Sequence, residues 1–251
     1  MCTLIILRRP DHRWPLVLGA NRDEMRQRPW KAPARHWPDR PEVIAGLDEL
    51  AGGSWLGLND QGVVATILNR YGTLGPAPDK RSRGELVLEA LDHSEAEDAV
   101  QAMAELNPDA YRPFNMLIAD NSNCYWLTNR EGASRVEMAE VPEGVSMLTA
   151  HDLNDVSGSD RTKLYLPRFR AVPAPVPDRD EWDGWTMLMG TRDHADEAGP
   201  SGAMTMELES GFGTSSSAQI ALAAPGEGAN IFRFAPGAPD KATFSNLNLK
   251  A

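Results

Sequence analysis

The sequence predicts an α+β fold built in layers, and three observations carry that expectation. Short β-rich runs follow one another as hairpins rather than alternating one for one with helices. Two helix-start patterns stand close together, Ser82-Arg83-Gly84-Glu85 and Ser94-Glu95-Ala96-Glu97. In each, a Ser precedes a Glu by three positions, the spacing of a capping box. Finally, 251 residues with 41% hydrophobic and 24% charged content suit one domain over 1–251 with a core of ordinary size.

The elements follow in order. Strands are expected at 2–8, 15–20, 54–58 and 62–69, the last two joined by the turn Asn59-Asp60-Gln61-Gly62. Helices follow at 83–92 and from Ser94 through Met103, forming one helical layer. Strands return at 114–119, 123–129, 134–140 and 145–150, with turns at Asn121-Ser122-Asn123 and Arg130-Glu131-Gly132. A helix over 159–171 carries Leu164, Leu166 and Phe169 despite Pro167. The stiff Pro173-Ala174-Pro175-Val176-Pro177 connector leads to a helix near 179–190. Strands at 203–208, 214–223, 229–235 and 242–248 complete the chain, with no internal repeat and no low-complexity tail.

Charge and composition exclude several function classes. The net charge is −11 and no Lys/Arg cluster of nucleic-acid-binding type is present, so no nucleic-acid partner is expected. Arg residues are dense between Arg22 and Arg40; this stretch reads as a solvated loop, or alternatively as a contact for an anionic substrate group. Cys2 and Cys124 make neither a disulfide framework nor a zinc site. The five histidines lack metal-ligand spacing, so no metal and no cofactor are expected. Gly211-Phe212-Gly213-Thr214 lacks the ending of a phosphate loop, and Ser215-Ser216-Ser217 matches no serine-nucleophile motif. Arg8, Arg9 and Asp11 interrupt any leader-like apolar run, and no segment approaches 18 apolar residues. The expectation is a cytoplasmic protein with reduced thiols and no membrane span; composition is silent on oligomeric state.

Cys2 is the residue with the most chemistry. If Met1 is removed, one residue carries a thiol and a free α-amine. The amine titrates near pH ~7.7–8.0 and can take the thiol proton near neutrality. That is the N-terminal form of an activated nucleophile. The alternative is a Cys that opens a buried strand and does no chemistry. Leu16-Val17-Leu18-Gly19-Ala20 runs into Asn21-Arg22-Asp23-Glu24, which places amide, guanidinium and carboxylate groups at one sheet edge. The strand over 62–69 likewise ends in the polar pair Asn69-Arg70. His151-Asp152 follows the apolar Val145 to Leu148 run, where it supplies a base or oxyanion donor, or caps a turn. Trp14, Trp30, Trp37, Trp55 and Trp126 read as core or rim packing, with those beside Arg28 and Arg35 also placed to line a site mouth.

Met1-Cys2, the string Asn21-Arg22-Asp23-Glu24, Gly53-x-Trp55-x-Gly57, Asn69, Arg83-Gly84-Glu85-Leu86-Val87 and Phe114-Asn115 together resemble the NRDE (transport and Golgi organisation protein 2) family. The matches run in order from residue 1 to about 130. At longer range the pattern is similar to N-terminal-nucleophile hydrolases of the choloylglycine hydrolase and penicillin V acylase group. The resemblance implies a four-layer αββα sandwich. It implies Cys2 as nucleophile, Arg22 and Asp23 in the catalytic group with Asp23 near the terminal amine, and Asn69 near the oxyanion. Asn21, Glu24, Trp55, Arg70 and His151 are the candidate substrate-binding residues. The sequence departs from the hydrolase pattern at Ala20, at Ala150-His151 and at Ser215-Ser216-Ser217, where supporting basic and amide side chains are expected. Two functions stay open: an amidohydrolase or acyl transferase acting on a small-molecule amide, and a non-catalytic carrier of an acyl-lipid or haem-like ligand, in keeping with the family's link to lipid and haem handling.

Overall fold

The computed structural model describes residues 2–250. In chain order the elements are β1 (Thr3–Arg8), β2 (Leu16–Met25), β3 (Trp30–Ala34), β4 (Val43–Asp48), β5 (Leu56–Asn59), β6 (Val64–Asn69), α1 (Gly84–Leu91), α2 (Ala96–Ala104), β7 (Phe114–Ala119), β8 (Cys124–Asn129), β9 (Glu137–Glu140), β10 (Gly144–Leu148), α3 (Asp160–Ala171), α4 (Asp183–Met189), β11 (Phe212–Leu222), β12 (Ile231–Ala235) and β13 (Ser245–Asn246). They divide into two compact units. The first holds the residues up to Gln27 together with Pro142–Asn248, and the second holds Arg28–Val141 with the C-terminal residues from Leu249.

The sheet of the first unit has the order β10-β1-β2-β11-β12-β13 and is antiparallel throughout. β1 is apolar without alternation because both of its faces are covered: Leu4, Ile5 and Ile6 are all buried. Side chains of α3 and α4, among them Tyr165, Phe169 and Trp185, pack on Ile5, Leu7 and Val17. Ser159 caps α3, its Oγ accepting from the Thr162 N–H at 3.1 Å. The helix then runs through Pro167.

The sheet of the second unit has the order β3-β4-β5-β6-β7-β8-β9, again antiparallel. α1 and α2 cover one face, where Leu86, Leu91 and Val100 meet Val43, Ala65 and Met116. β5 and β6 form the expected hairpin. Asn59 Oδ1 accepts from the Val63 N–H at 2.8 Å, and Gly62 takes a φ of 93° that its missing Cβ allows.

Several expectations need correction. The polar block Asn21-Arg22-Asp23-Glu24 is not an edge after the strand; it lies within β2, which pairs as far as Glu24 and Met25 with β11. The stretch from Arg22 to Arg40 is not all loop, because it contains the end of β2 and all of β3. Pro33 hid β3 from the sequence, and it is tolerated because β3 is the sheet's edge strand. The segment 203–208 is not a strand. Its backbone instead bonds Thr191, the Asn21 side chain and Thr214. Neither capping box closes. Glu85 is taken by the Tyr111 hydroxyl at 2.7 Å and by Arg81 at 2.6 Å, and the Ala96 N–H at the start of α2 is received by Asp120 Oδ2 at 2.9 Å.

Gly46 makes room for Trp55. A Cβ on Gly46 would lie 2.3 Å from Trp55 Cη2 and 2.4 Å from its Cζ2, so the whole ring would have to move. That ring is fixed by an edge-on contact with Trp30 at 5.9 Å between centroids. Gly46→Ala is therefore expected to cost about 1–3 kcal/mol by overpacking. Urea unfolding checks this; an unchanged midpoint would show that the ring relocates freely.

Candidate active site

Cys2 sits immediately before β1, half-buried, with its Sγ donating toward the Asp23 carbonyl oxygen at 3.7 Å. β1 delivers it there because Thr3 pairs with Asn21 across the β1–β2 ladder. Burial and the Asp23 carboxylate push the Cys2 thiol above its ordinary range, against the pull of Arg22. Both effects favour the protonated thiol.

Strand alternation sorts the β2 side chains. Asn21 and Asp23 share one face, toward α3 and α4, and Arg22 and Glu24 share the other. Asn21 is buried and committed: its amide donates to the Met189 and Met204 carbonyls, both at 2.9 Å, and its oxygen accepts from the Ser217 hydroxyl at 2.9 Å. This amide ties β2 to the end of α4 and the loop beyond it. Asp23 is buried as well. Its Oδ1 accepts from the Thr214 hydroxyl at 2.7 Å, and its Oδ2 accepts from Arg161 Nη1 at 3.0 Å. Arg22 Nη1 donates to Ser215 Oγ at 3.1 Å, and its Nη2 lies 3.9 Å from Glu24 Oε2. Ser215 is the extra residue of a register shift between Thr214 and Ser216, the kind of bulge that re-aims side chains beside sites.

Arg161 is the residue that sequence reasoning missed. It enters from the first turn of α3 and is buried. Besides Asp23, its Nη1 donates to Thr3 Oγ1 at 2.6 Å, and its Nη2 donates to the Ser201 carbonyl at 2.9 Å. His151 follows β10, half-buried, its N–H bonded to Thr149 Oγ1 at 3.4 Å. The ring abuts Gly158, where a Cβ would lie 3.1 Å from His151 Nδ1.

The remaining sequence-selected residues belong to the second unit. Asn69 closes β6 opposite Phe114. Its half-buried side-chain amide makes no hydrogen bond among the described residues, which leaves it available to a ligand. Arg70 Nη1 donates to Asn115 Oδ1 at 2.8 Å and to Thr128 Oγ1 at 3.0 Å, and Trp126 Nε1 donates to the same Asn115 oxygen at 3.3 Å. This network gives the Phe114-Asn115 motif a physical role, because Asn115 holds the Arg70 guanidinium. Trp55 is half-buried against Trp30. Among the described residues no group of His, Cys, Asp and Glu is placed to hold a metal ion, and no helix is long and apolar enough to cross a membrane.

Solved structures share this architecture. A Caenorhabditis elegans ortholog of N-acylethanolamine-hydrolyzing acid amidase superposes with a TM-score of 0.58, covering 90% of this chain and 95% of its own at 13% identity. A C2A mutant of conjugated bile acid hydrolase from Clostridium perfringens gives 0.52, covering 99% of this chain and 97% of its own at 11% identity. At such identities the likeness is one of fold. It defines the class as α+β of the N-terminal-nucleophile hydrolase type, the four-layer αββα class expected from the sequence motifs. Within that class the particular family is also clear. Residues 1–167 match the Transport and Golgi organisation 2 family, and the chain belongs to it. The Mus musculus Transport and Golgi organization 2 homolog is 35% identical over 122 residues, 44% of this chain and 43% of its own length. The Bos taurus homolog is 34% identical over 144 residues, 52% and 50% of the two chains. The matched segment spans about half the length of these curated relatives.

Proposed function

We propose that the chain is an N-terminal-cysteine amidohydrolase or acyl transferase acting on a small-molecule amide, with one domain over 1–251 and a cytoplasmic location. The observation that carries this reading is the placement of Cys2 at the head of a central strand, beside Asp23, in an amidohydrolase fold. Once Met1 is removed, the Cys2 Sγ attacks the amide carbonyl carbon and the new α-amine takes the thiol proton. The C–N bond breaks as that proton passes to the leaving amine, leaving a thioester on Cys2. Water, or a second amine in the transferase reaction, releases the acyl group and returns the proton to the thiol. Asp23 holds the α-amine, Arg22 stabilises the thiolate, and Asn69 donates to the oxyanion. Glu24, Trp55, Arg70 and His151 contact substrate; Asn21 supports them through its bonds to α4 rather than touching substrate itself.

The fold relatives act, by their names, on N-acylethanolamines, penicillin V and conjugated bile acids. All three are acyl groups joined through an amide nitrogen, so this is the substrate class to test. Amine release from each compound is measured with the purified protein and with its Cys2→Ala and Asn69→Ala variants. Release by the parent protein and none by Cys2→Ala supports the reading; Asn69→Ala is expected to lose about 10²–10³ in rate as an oxyanion donor. Release that survives Cys2→Ala overturns it. A second reading, a carrier of an acyl-lipid or haem-like ligand, applies to a chain that keeps Met1, because Cys2 then has no free α-amine to take its proton.

A further inference from the structure

We infer that Arg161 is a positioning residue of this site, setting the reactivity of Cys2 through the charge and placement of Asp23. The inference rests on the nucleophile reading of Cys2 and adds to it a residue that no motif in the sequence marks.

The geometry is specific. One guanidinium nitrogen of Arg161 serves both strands of the β1–β2 pair, donating to Thr3 Oγ1 at 2.6 Å and to Asp23 Oδ2 at 3.0 Å. Thr3 is the residue next to Cys2, and Asp23 supplies the carbonyl that faces the Cys2 sulfur. Arg161 is thus bonded to both neighbours of the nucleophile without touching it. Its side chain and that of Asp23 are 3% and 0% exposed, so solvent screens the pair little. The second nitrogen is anchored on the Ser201 carbonyl, and Met206 Sδ lies 3.7 Å away, so the guanidinium has a fixed orientation.

The charge argument follows. A carboxylate beside a thiol disfavours the thiolate, and Asp23 acts on Cys2 in this way. A full guanidinium on the same carboxylate offsets that effect. The other charged side chains on the surrounding elements are Arg22 and Glu24 on β2, Asp160, Lys163, Arg168 and Arg170 on α3, and Asp183 on α4; Arg168 is taken by Asp193 at 3.0 Å. β10 and the Phe212–Ser217 half of β11 contribute none, and β1 contributes only Arg8 at its far end. Arg161 is a cation in direct, buried contact with the Asp23 carboxylate. It comes from the first turn of α3, on the face of β2 that Asp23 shares with Asn21.

The test uses the full-length protein with Met1 removed and iodoacetamide as probe. The alkylation rate of Cys2 is mapped against pH for the parent, Arg161→Lys, Arg161→Met, Asp23→Asn and the Asp23→Asn/Arg161→Met double variant. Arg161→Met is expected to move the profile to higher pH and slow alkylation about tenfold at pH 7, one unit of thiol titration. Arg161→Lys, which keeps the charge, is expected to stay near the parent. If Arg161 acts through Asp23, the double variant superposes on Asp23→Asn. The double variant also buries no unpaired charge, so it reports even where Arg161→Met fails to fold. A parent Cys2 that reacts fast while Arg161→Met keeps the parent profile overturns the inference alone, as does a double variant that departs from Asp23→Asn. A parent Cys2 no faster than Cys124 overturns the nucleophile reading and this assignment with it.

Discussion

Asp23→Ala is expected to lower the free energy of unfolding by about 3–5 kcal/mol, the largest single loss of stability in the site. The reason is what it leaves behind. Arg161 stays buried with its Thr3 and Ser201 bonds but without its counter-charge, and the Thr214 hydroxyl loses its acceptor. Removing one partner of a buried pair costs far more than removing both. Replacing Asp23 and Arg161 together by apolar residues of similar volume should therefore cost less than Asp23→Ala alone. Urea unfolding of the two variants decides this. The exposed Arg26–Glu207 pair, which is screened by water, serves as the comparison and should move the midpoint little when Arg26 is replaced. A loss below about 1 kcal/mol for Asp23→Ala would mean that the pair does not hold the β2 and α3 elements together.

The second large effect is functional. In protein lacking Met1, Cys2→Ala is expected to abolish amide hydrolysis, a fall of about 10³-fold or more, because the covalent path has no other nucleophile. The same change should remove the fast-alkylating thiol. Cys124 does not replace it: it lies inside β8, buried, paired with Ala119 in the adjacent strand. Its thiol is reached only when the sheet opens. Peptide mapping after a short alkylation at neutral pH should find the label on Cys2. Equal labelling of the two cysteines would leave the carrier reading. Protein that keeps Met1 gives an internal control, since there Cys2 has no α-amine to take its proton.

Much of this was legible in the chain, for physical reasons that differ from residue to residue. β7 is an apolar run broken only by Asn115, and its limits are the expected 114–119. Cys2, Asn21, Arg22 and Asp23 could be selected because unusual polar groups interrupt an apolar pattern. What local pattern could not show is how those groups are satisfied. The β2 strand continues through its polar block because α3, α4 and β11 supply partners for it: Arg161, the Met189 carbonyl and Thr214. Arg161 itself is 138 residues from Asp23. In sequence it is one more cation in the first turn of a helix, indistinguishable from a solvated one. The Ser159 cap that fixes where α3 begins is the sole local signal that bears on its placement. The failed capping boxes make the same point. Glu85 and the Ala96 N–H have local partners available, but tertiary partners, Tyr111 and Asp120, take them.

The account stands on Cys2 being the N-terminal residue of the working protein. Intact-mass spectrometry of the purified chain tests this most directly. The account predicts the mass of the chain without Met1, with an acyl adduct that maps to Cys2 when turnover of an N-acyl amide is quenched. A chain that retains Met1 and takes up no adduct would contradict it.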